Sequence, residues 1–320
     1  MAFTYDDNIP TLDLKDYTGN DEQLKSQFIA DLGEIYSEIG FVAIVNHGFE
    51  MEEQDKLYKA IQSFFFLDDK VKQKYDGSFC GGQRGYTGKG KEHAAGRKVG
   101  DLKEFYHIGN EISEIGGNHY QNNIFPIEVP EFEEQTLACY NKLLGVGKVM
   151  LSAIAEFMSL NSTHFENKVN KGISILRPIH YFPIADVSQV PDDAVRAAEH
   201  GDINLITLLM GASADGLQVK RRDGKWIPVK NNPDAVVVNV GDMLERYTNG
   251  LLKSTIHRVI NPAKEKLGSS RFSIPFFMHG NPDMALNCLS SCVTSERPKA
   301  YDDITVDGFL TQRLKEIGLL

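Results

Sequence analysis

From residue 170 onward the chain is a succession of short apolar segments cut by turn residues, and this constrains its fold more than any other feature. Candidate strands lie at 173–181, 204–210, 217–221, 226–229, 235–240, 254–260 and 272–278. Between them stand Asp223-Gly224, Asn231-Asn232-Pro233, Asn249-Gly250 and Asn261-Pro262, all strong turn formers. Short strands at this spacing predict an antiparallel sandwich or jelly roll.

The first 160 residues read differently. Asp21 is placed to cap a helix running to about Gly40, with Leu24, Phe28, Leu32, Ile35 and Ile39 near helical spacing. Residues 41–45 form a buried-strand pattern closed by Asn46-His47-Gly48, and 52–66 and 130–160 are further amphipathic helices. A tail helix is expected over 305–320. The expected whole is one β-rich α+β domain over 1–320. Its parts are an α+β region at 1–160, a strand-rich core at 170–285 and the tail helix.

Composition narrows the function. Forty-four acidic against 34 basic residues give a net charge of -10, which repels phosphate backbones and argues against nucleic acid. No apolar run reaches the roughly 18 residues of a membrane span, and the first residues do not form a signal peptide. Cys80, Cys139, Cys288 and Cys292 form no Cys-x-x-Cys pair, which suggests reduced thiols in the cytoplasm. Residues 78–100 are rich in glycine, the composition of a long loop and a candidate lid.

The chemistry concentrates in three places. His200-Gly201-Asp202 is read as the start of a strand, where residues i and i+2 share a face and present a nitrogen beside a carboxylate. His257 follows 55 residues after Asp202, inside another strand pattern. Two histidines and a carboxylate make the facial triad of non-haem Fe(II) oxygenases, which leaves positions open for a bidentate 2-oxo acid and O2. Arg271 and Ser273 share a face of the last strand and suit a carboxylate, and Tyr181 could donate to the same group. A surface ion pair for the arginine and an edge position for the tyrosine are the ordinary alternatives.

Beyond these residues the chain resembles the 2-oxoglutarate- and Fe(II)-dependent oxygenases of the isopenicillin N synthase-like family. The likeness rests on His200-Gly201-Asp202-Ile203-Asn204, Asn239 to Glu245, Thr248-Asn249-Gly250, Ser254 to Pro262 and Arg271 to Phe277. Ile9 to Leu14, Gly40 to Gly48 and Phe64-Phe65 extend it through the first half. The resemblance implies a double-stranded β-helix (jelly-roll) core with flanking helices. It implies Fe(II) on His200, Asp202 and His257, and 2-oxoglutarate on Arg271, Ser273 and Tyr181, with O2 as second co-substrate. It also implies oxidative decarboxylation to succinate and CO2, coupled to hydroxylation, desaturation or ring closure of a small molecule. Because Asp202 is present, oxidation rather than halogenation is expected. His47 is read as part of a turn, and Gly241-Asp242 as a strand-turn device.

Relatives such as isopenicillin N synthase carry the same ligands and the Arg-x-Ser pair without consuming 2-oxoglutarate. An oxidase of that kind, and a catalytically silent binding protein on the same fold, therefore remain alternatives. Candidates for substrate contact are Arg84, Tyr86, Arg97, Lys103, Glu104, Tyr106, Phe276 and His279, each with ordinary packing or solvation as the alternative. The local basic excess from Arg84 to Lys103 suggests an anionic or amino-acid-like substrate. A monomer without nucleic-acid or membrane partners is expected.

Overall fold

The computed structural model describes residues 8–91, 103–111, 122–183, 195–211, 216–230, 232–261 and 268–316. In chain order the first half holds β1 (Thr11–Asp13), α1 (Leu14–Thr18), α2 (Glu22–Glu38), β2 (Phe41–Val45), α3 (Met51–Phe65), α4 (Asp69–Lys72), β3 (Gly85–Thr87), β4 (Lys103–Gly109), α5 (Glu131–Phe157) and α6 (Glu166–Val169). The second half holds β5 (Ile175–Leu176), β6 (Ile179–Tyr181), β7 (Val195–His200), β8 (Ile206–Met210), β9 (Leu217–Lys220), β10 (Trp226–Pro228), β11 (Ala235–Val240), α7 (Asp242–Tyr247), β12 (His257–Ile260), β13 (Arg271–Met278) and α8 (Val306–Glu316).

The strands form two sheets. The major sheet runs β1-β2-β11-β8-β13-β5-β4-β3, with β6 bridging β13 and β4. The minor sheet runs β10-β9-β12-β7. Except for the parallel β1–β2 pair, the pairings between these strands are antiparallel among the described residues. The result is the expected jelly-roll core with helices on its outer face.

Local chemistry explains the flanking elements. The Asp21 carboxylate accepts from the backbone N–H groups of Gln23 and Leu24 and so caps α2. Glu50 and Glu53 form a reciprocal capping box at the start of α3. Gly40 ends α2 in the left-handed region at φ 68° and lets the chain turn straight into β2. A Cβ there would also lie 2.1 Å from the Lys253 carbonyl oxygen.

Helix α5 is 27 residues long and apolar enough to cross a bilayer by length and composition alone. Here its apolar stripe (Phe132, Tyr140, Leu143, Met150, Ile154) is buried in the core. Each such side chain removed from water contributes about 1.5–3 kcal/mol, so this helix is a principal support of the major sheet.

Two expectations change. The candidate strand at 173–181 divides into β5 and β6, because Arg177-Pro178 interrupts it and Pro178 has no N–H to donate to a ladder. The glycine-rich segment is not a loop throughout: Gly85–Thr87 is β3, paired with β4. Residues 92–100, including Arg97, lie outside the described residues, as do residues 317–320 of the expected tail helix.

Candidate active site

One rule of register organises the interior. Across β13, β6 and β4, Arg271 is paired with Tyr181 and Tyr181 with Lys103. One residue further along, Phe272 is paired with His180 and His180 with Glu104. Paired residues share a face of the sheet and neighbours in sequence do not. The odd-numbered set (Lys103, Phe105, Tyr181, Arg271, Ser273) therefore faces the minor sheet. The even-numbered set (Glu104, Tyr106, His180, Phe272, Phe276) faces the helices. Ring contacts of Tyr106 with Phe64, Phe272 with Phe65 and Phe276 with Tyr140 bear this out.

His200, Asp202 and His257 come together between the sheets, with one ligand atom of each within 4.8 Å of the others. The Asp202 Oδ1 lies 3.7 Å from His257 Nε2 and 4.0 Å from His200 Nε2. His200 is the last residue of β7, not the first of a strand as expected, and Gly201-Asp202 leave the ladder behind it. The juxtaposition therefore comes from a strand end and the turn after it. His200 is paired with His257 on β12, which brings the two rings to 4.3 Å between centroids.

Each ligand is oriented by a second contact. The Nδ1 atoms of His200 and His257 lie 2.7 Å and 3.2 Å from the carbonyl oxygens of Ala198 and Thr255. An Nδ1–H donated to each carbonyl leaves both Nε2 lone pairs directed into the site. Asp202 Oδ2 accepts from Thr207 Oγ1 at 2.6 Å and Asn239 Nδ2 at 2.8 Å, and Oδ1 is left for a cation. Thr207 and Asn239 are themselves paired between β8 and β11. The same cross-strand row continues to Phe41, which meets the His257 ring edge-on, and to Phe277.

The electrostatics match this arrangement. Burial would raise the Asp202 carboxyl, but His257, His200, Asn239 and Thr207 outweigh it and hold the pKa below its usual value. His200 is lowered by the protein packed around it and by His257, although 47% of its side chain is exposed. At neutral pH the carboxylate is thus ionised and His200 is neutral. Two imidazole nitrogens and one carboxylate oxygen form a donor set suited to Fe(II).

Arg271, Tyr181 and Ser273 are buried on the inner face, and the Arg271 guanidinium lies 5.1 Å from the Tyr181 ring centroid. One cation and two hydroxyl donors on a single face complement a carboxylate.

The substrate candidates separate by face. Tyr86 and Tyr106 are core residues, with hydroxyls donated to Glu104 Oε2 and the Ile124 carbonyl. Glu104 is fully buried among Lys72, Tyr86 and His180. Phe276 packs against α5, and the residue on the inner face is its neighbour Phe277, because a single step along a strand reverses the side chain. Arg84 is buried, with its guanidinium against Gly109. Lys103 lies on the inner face and its charge acts on His200. His279 is within electrostatic reach of Asp202 and Arg177, and burial pushes its imidazole down to about 4. His47 is held in its turn, where Nδ1 accepts from the Phe49 N–H, and it takes no part in the cluster.

Four inner residues were not singled out from sequence: Asn239, Thr207, Arg177 and Arg196. The Arg177 guanidinium lies over the rings of Phe105 and Phe277 at 4.6 and 5.2 Å and donates through Nε to His107 Nε2. Asn239 opens one of the segments that carry the family likeness but has no role readable there, and the other three stand in no such segment. Asn239 and Thr207 become visible only once the β8–β11 register is known.

Comparison with known proteins identifies the family and the fold. Residues 9–128 match the family model described as non-haem dioxygenase in morphine synthesis, N-terminal. Residues 174–280 match the 2OG-Fe(II) oxygenase superfamily. The 2-oxoglutarate-Fe(II) type oxidoreductase hxnY of Emericella nidulans is 32% identical, over 96% of this chain and 89% of its own. A 2OG-Fe(II) oxygenase family protein from Caulobacter crescentus superposes with a TM-score of 0.86 at 40% identity, over 96% of this chain and 98% of its own. A full-length Neurospora crassa protein solved in complex with alpha-KG and thymine superposes with a TM-score of 0.86 at 28% identity, over 96% of each chain. By fold, donor set and kinship, the chain belongs to the 2-oxoglutarate- and Fe(II)-dependent oxygenases of the isopenicillin N synthase-like family.

Proposed function

We propose that His200, Asp202 and His257 hold the Fe(II) and that Arg271, Ser273 and Tyr181 anchor 2-oxoglutarate in a dioxygenase that oxidises a small, anionic or carbonyl-bearing metabolite. The observation that carries this reading is the division of labour at Asp202: Oδ2 is saturated by Thr207 and Asn239, and Oδ1 faces both histidine Nε2 atoms. Iron, when bound, would activate O2 as the oxidant, and 2-oxoglutarate would supply two of the four electrons O2 takes up, leaving as succinate and CO2, while the substrate C–H bond supplies the other two.

The chain's own residues do the positioning. Arg271 and Ser273 fix the far carboxylate of the 2-oxo acid, so that its keto acid end reaches the cation. The carbonyl-bonded Nδ1 atoms keep the two imidazoles from rotating. Arg177, stacked on Phe105 and Phe277, offers a guanidinium held flat by two aromatic faces, suited to a substrate carboxylate or carbonyl. Its charge, like that of Asp202, acts on the buried His279. Four free thiols suit a cytoplasmic setting, and a monomer suffices because every residue invoked lies on one chain.

The test is anaerobic addition of Fe(II) and then 2-oxoglutarate to the metal-free protein. A visible charge-transfer band, and in air succinate release that rises with substrate, are expected. No band and no succinate would overturn the reading. A band with succinate release indifferent to every anionic or carbonyl metabolite offered would overturn the substrate class alone.

A further inference from the structure

A second arginine stands beside the carboxylate-binding set and has no role in the site as described above. Arg196 lies on β7, four residues before His200. The pairing of β7 with β12 is irregular there: Val259 is paired with Ala197 and the next residue, Ile260, with Val195. Arg196 is thus the extra residue of a β-bulge, a device that re-aims a side chain. It is buried, at 8% exposure. Its Nη2 reaches the Ser269 carbonyl oxygen at 3.5 Å, while Nε and Nη1 are buried with no hydrogen-bond partner. Its guanidinium lies over the Tyr181 ring at 5.8 Å, the same ring that Arg271 overlies at 5.1 Å.

Unsatisfied buried donors are costly, and two neighbouring buried cations add repulsion. Burial and then the Arg271 charge both disfavour the charged form of Arg196. A carboxylate between the two guanidiniums would remove both penalties, since it accepts from several donors and carries the opposite charge. No acidic side chain among the described residues forms an ion pair with Arg196 within 4.0 Å.

We infer that Arg196 is a second anchor for the distal carboxylate of the 2-oxo acid, forming with Arg271 a two-guanidinium cradle around Tyr181. This rests on the 2-oxoglutarate reading above. The bulge in β7 serves the cradle, because in a regular ladder there would be no extra residue to re-aim.

The experiment is an anaerobic charge-transfer titration of the Fe(II)-loaded protein with 2-oxoglutarate and with pyruvate, which lacks the distal carboxylate, plus thermal unfolding of the metal-free protein. Arg196→Gln is expected to weaken 2-oxoglutarate roughly 10- to 100-fold and to leave pyruvate binding within about twofold. Arg196→Lys should restore part of the loss. The metal-free Arg196→Gln protein should unfold at a higher temperature than the parent, since an unsatisfied buried cation is gone. Equal loss for both acids, no loss for either, or a lower unfolding temperature would overturn the assignment of Arg196 alone. A parent protein that binds pyruvate but gains nothing from the distal carboxylate would overturn the reading on which it rests.

Discussion

Asn239 Nδ2 donates to Asp202 Oδ2 at 2.8 Å across 37 residues of sequence, and with Thr207 it decides which carboxylate oxygen is left for a cation. The contact exists because β11 and β8 pair Asn239 with Thr207 on the inner face. An Asn239→Leu variant keeps the side-chain volume and removes the donor. Fe(II) affinity, measured by anaerobic calorimetry, should fall about 10- to 100-fold, the usual cost of losing an outer partner of a metal ligand. Unchanged affinity would show that Thr207 alone orients the carboxylate.

The buried Glu104 cluster predicts acid lability. Burial raises the Glu104 carboxyl, but hydrogen bonds from His180, Lys72 and Tyr86 outweigh it and leave the pKa below the ordinary carboxylate value. A group depressed on folding contributes stability that is present above its unfolded pKa, about 4.3 for glutamate. That contribution is lost as pH falls through the lower folded value. Glu104→Gln should remove this slope from urea unfolding curves between about pH 5 and 3. At pH 7 it should cost roughly 3–5 kcal/mol, because Lys72, 3% exposed, loses its buried partner. A variant as stable as the parent at pH 7 would refute the pairing.

Phe276 and Phe277 are neighbours with opposite duties. Phe276→Ala opens a cavity against Tyr140 and should destabilise by about 3–5 kcal/mol in chemical denaturation. Phe277→Ala should cost less stability, since its side chain is only part-buried, but should raise KM for the substrate by freeing Arg177. If both variants lost stability equally and neither changed KM, the division of faces would be wrong.

Gly241 is held by a close approach. A Cβ there would lie 2.2 Å from the Asn204 carbonyl oxygen, and the Gly241 N–H donates to the Leu205 carbonyl oxygen at 2.9 Å. Gly241→Ala must displace backbone next to the Asp202 turn. It should lower the unfolding temperature by several degrees, as expected for a loss of ~1–3 kcal/mol, and it should weaken metal binding as well. Loss of stability with metal affinity intact would separate this turn from the site.

Much of the protein is a matter of local sequence. The Asp21 cap, the apolar spacing of α2, α3 and α5, and the strand patterns of β2 and β11 depend on residues within a few positions of one another. Periodicity and capping chemistry therefore suffice to place them. The ligand types in His200-Gly201-Asp202 and His257 are equally open to reading, because coordination chemistry selects them whatever their surroundings. Which residues meet across the sheets is another matter. Arg84, Tyr86 and Tyr106 looked polar enough for a mouth and are packed in the core, and Phe277, not Phe276, faces inward. The bulge that re-aims Arg196 and the row that joins Asn239 to Thr207 belong to strand register. Register is set by pairings between segments tens of residues apart, and one step along a strand reverses every side chain. Only the folded sheets, with one face committed to the helices and the other to the cation, decide that parity.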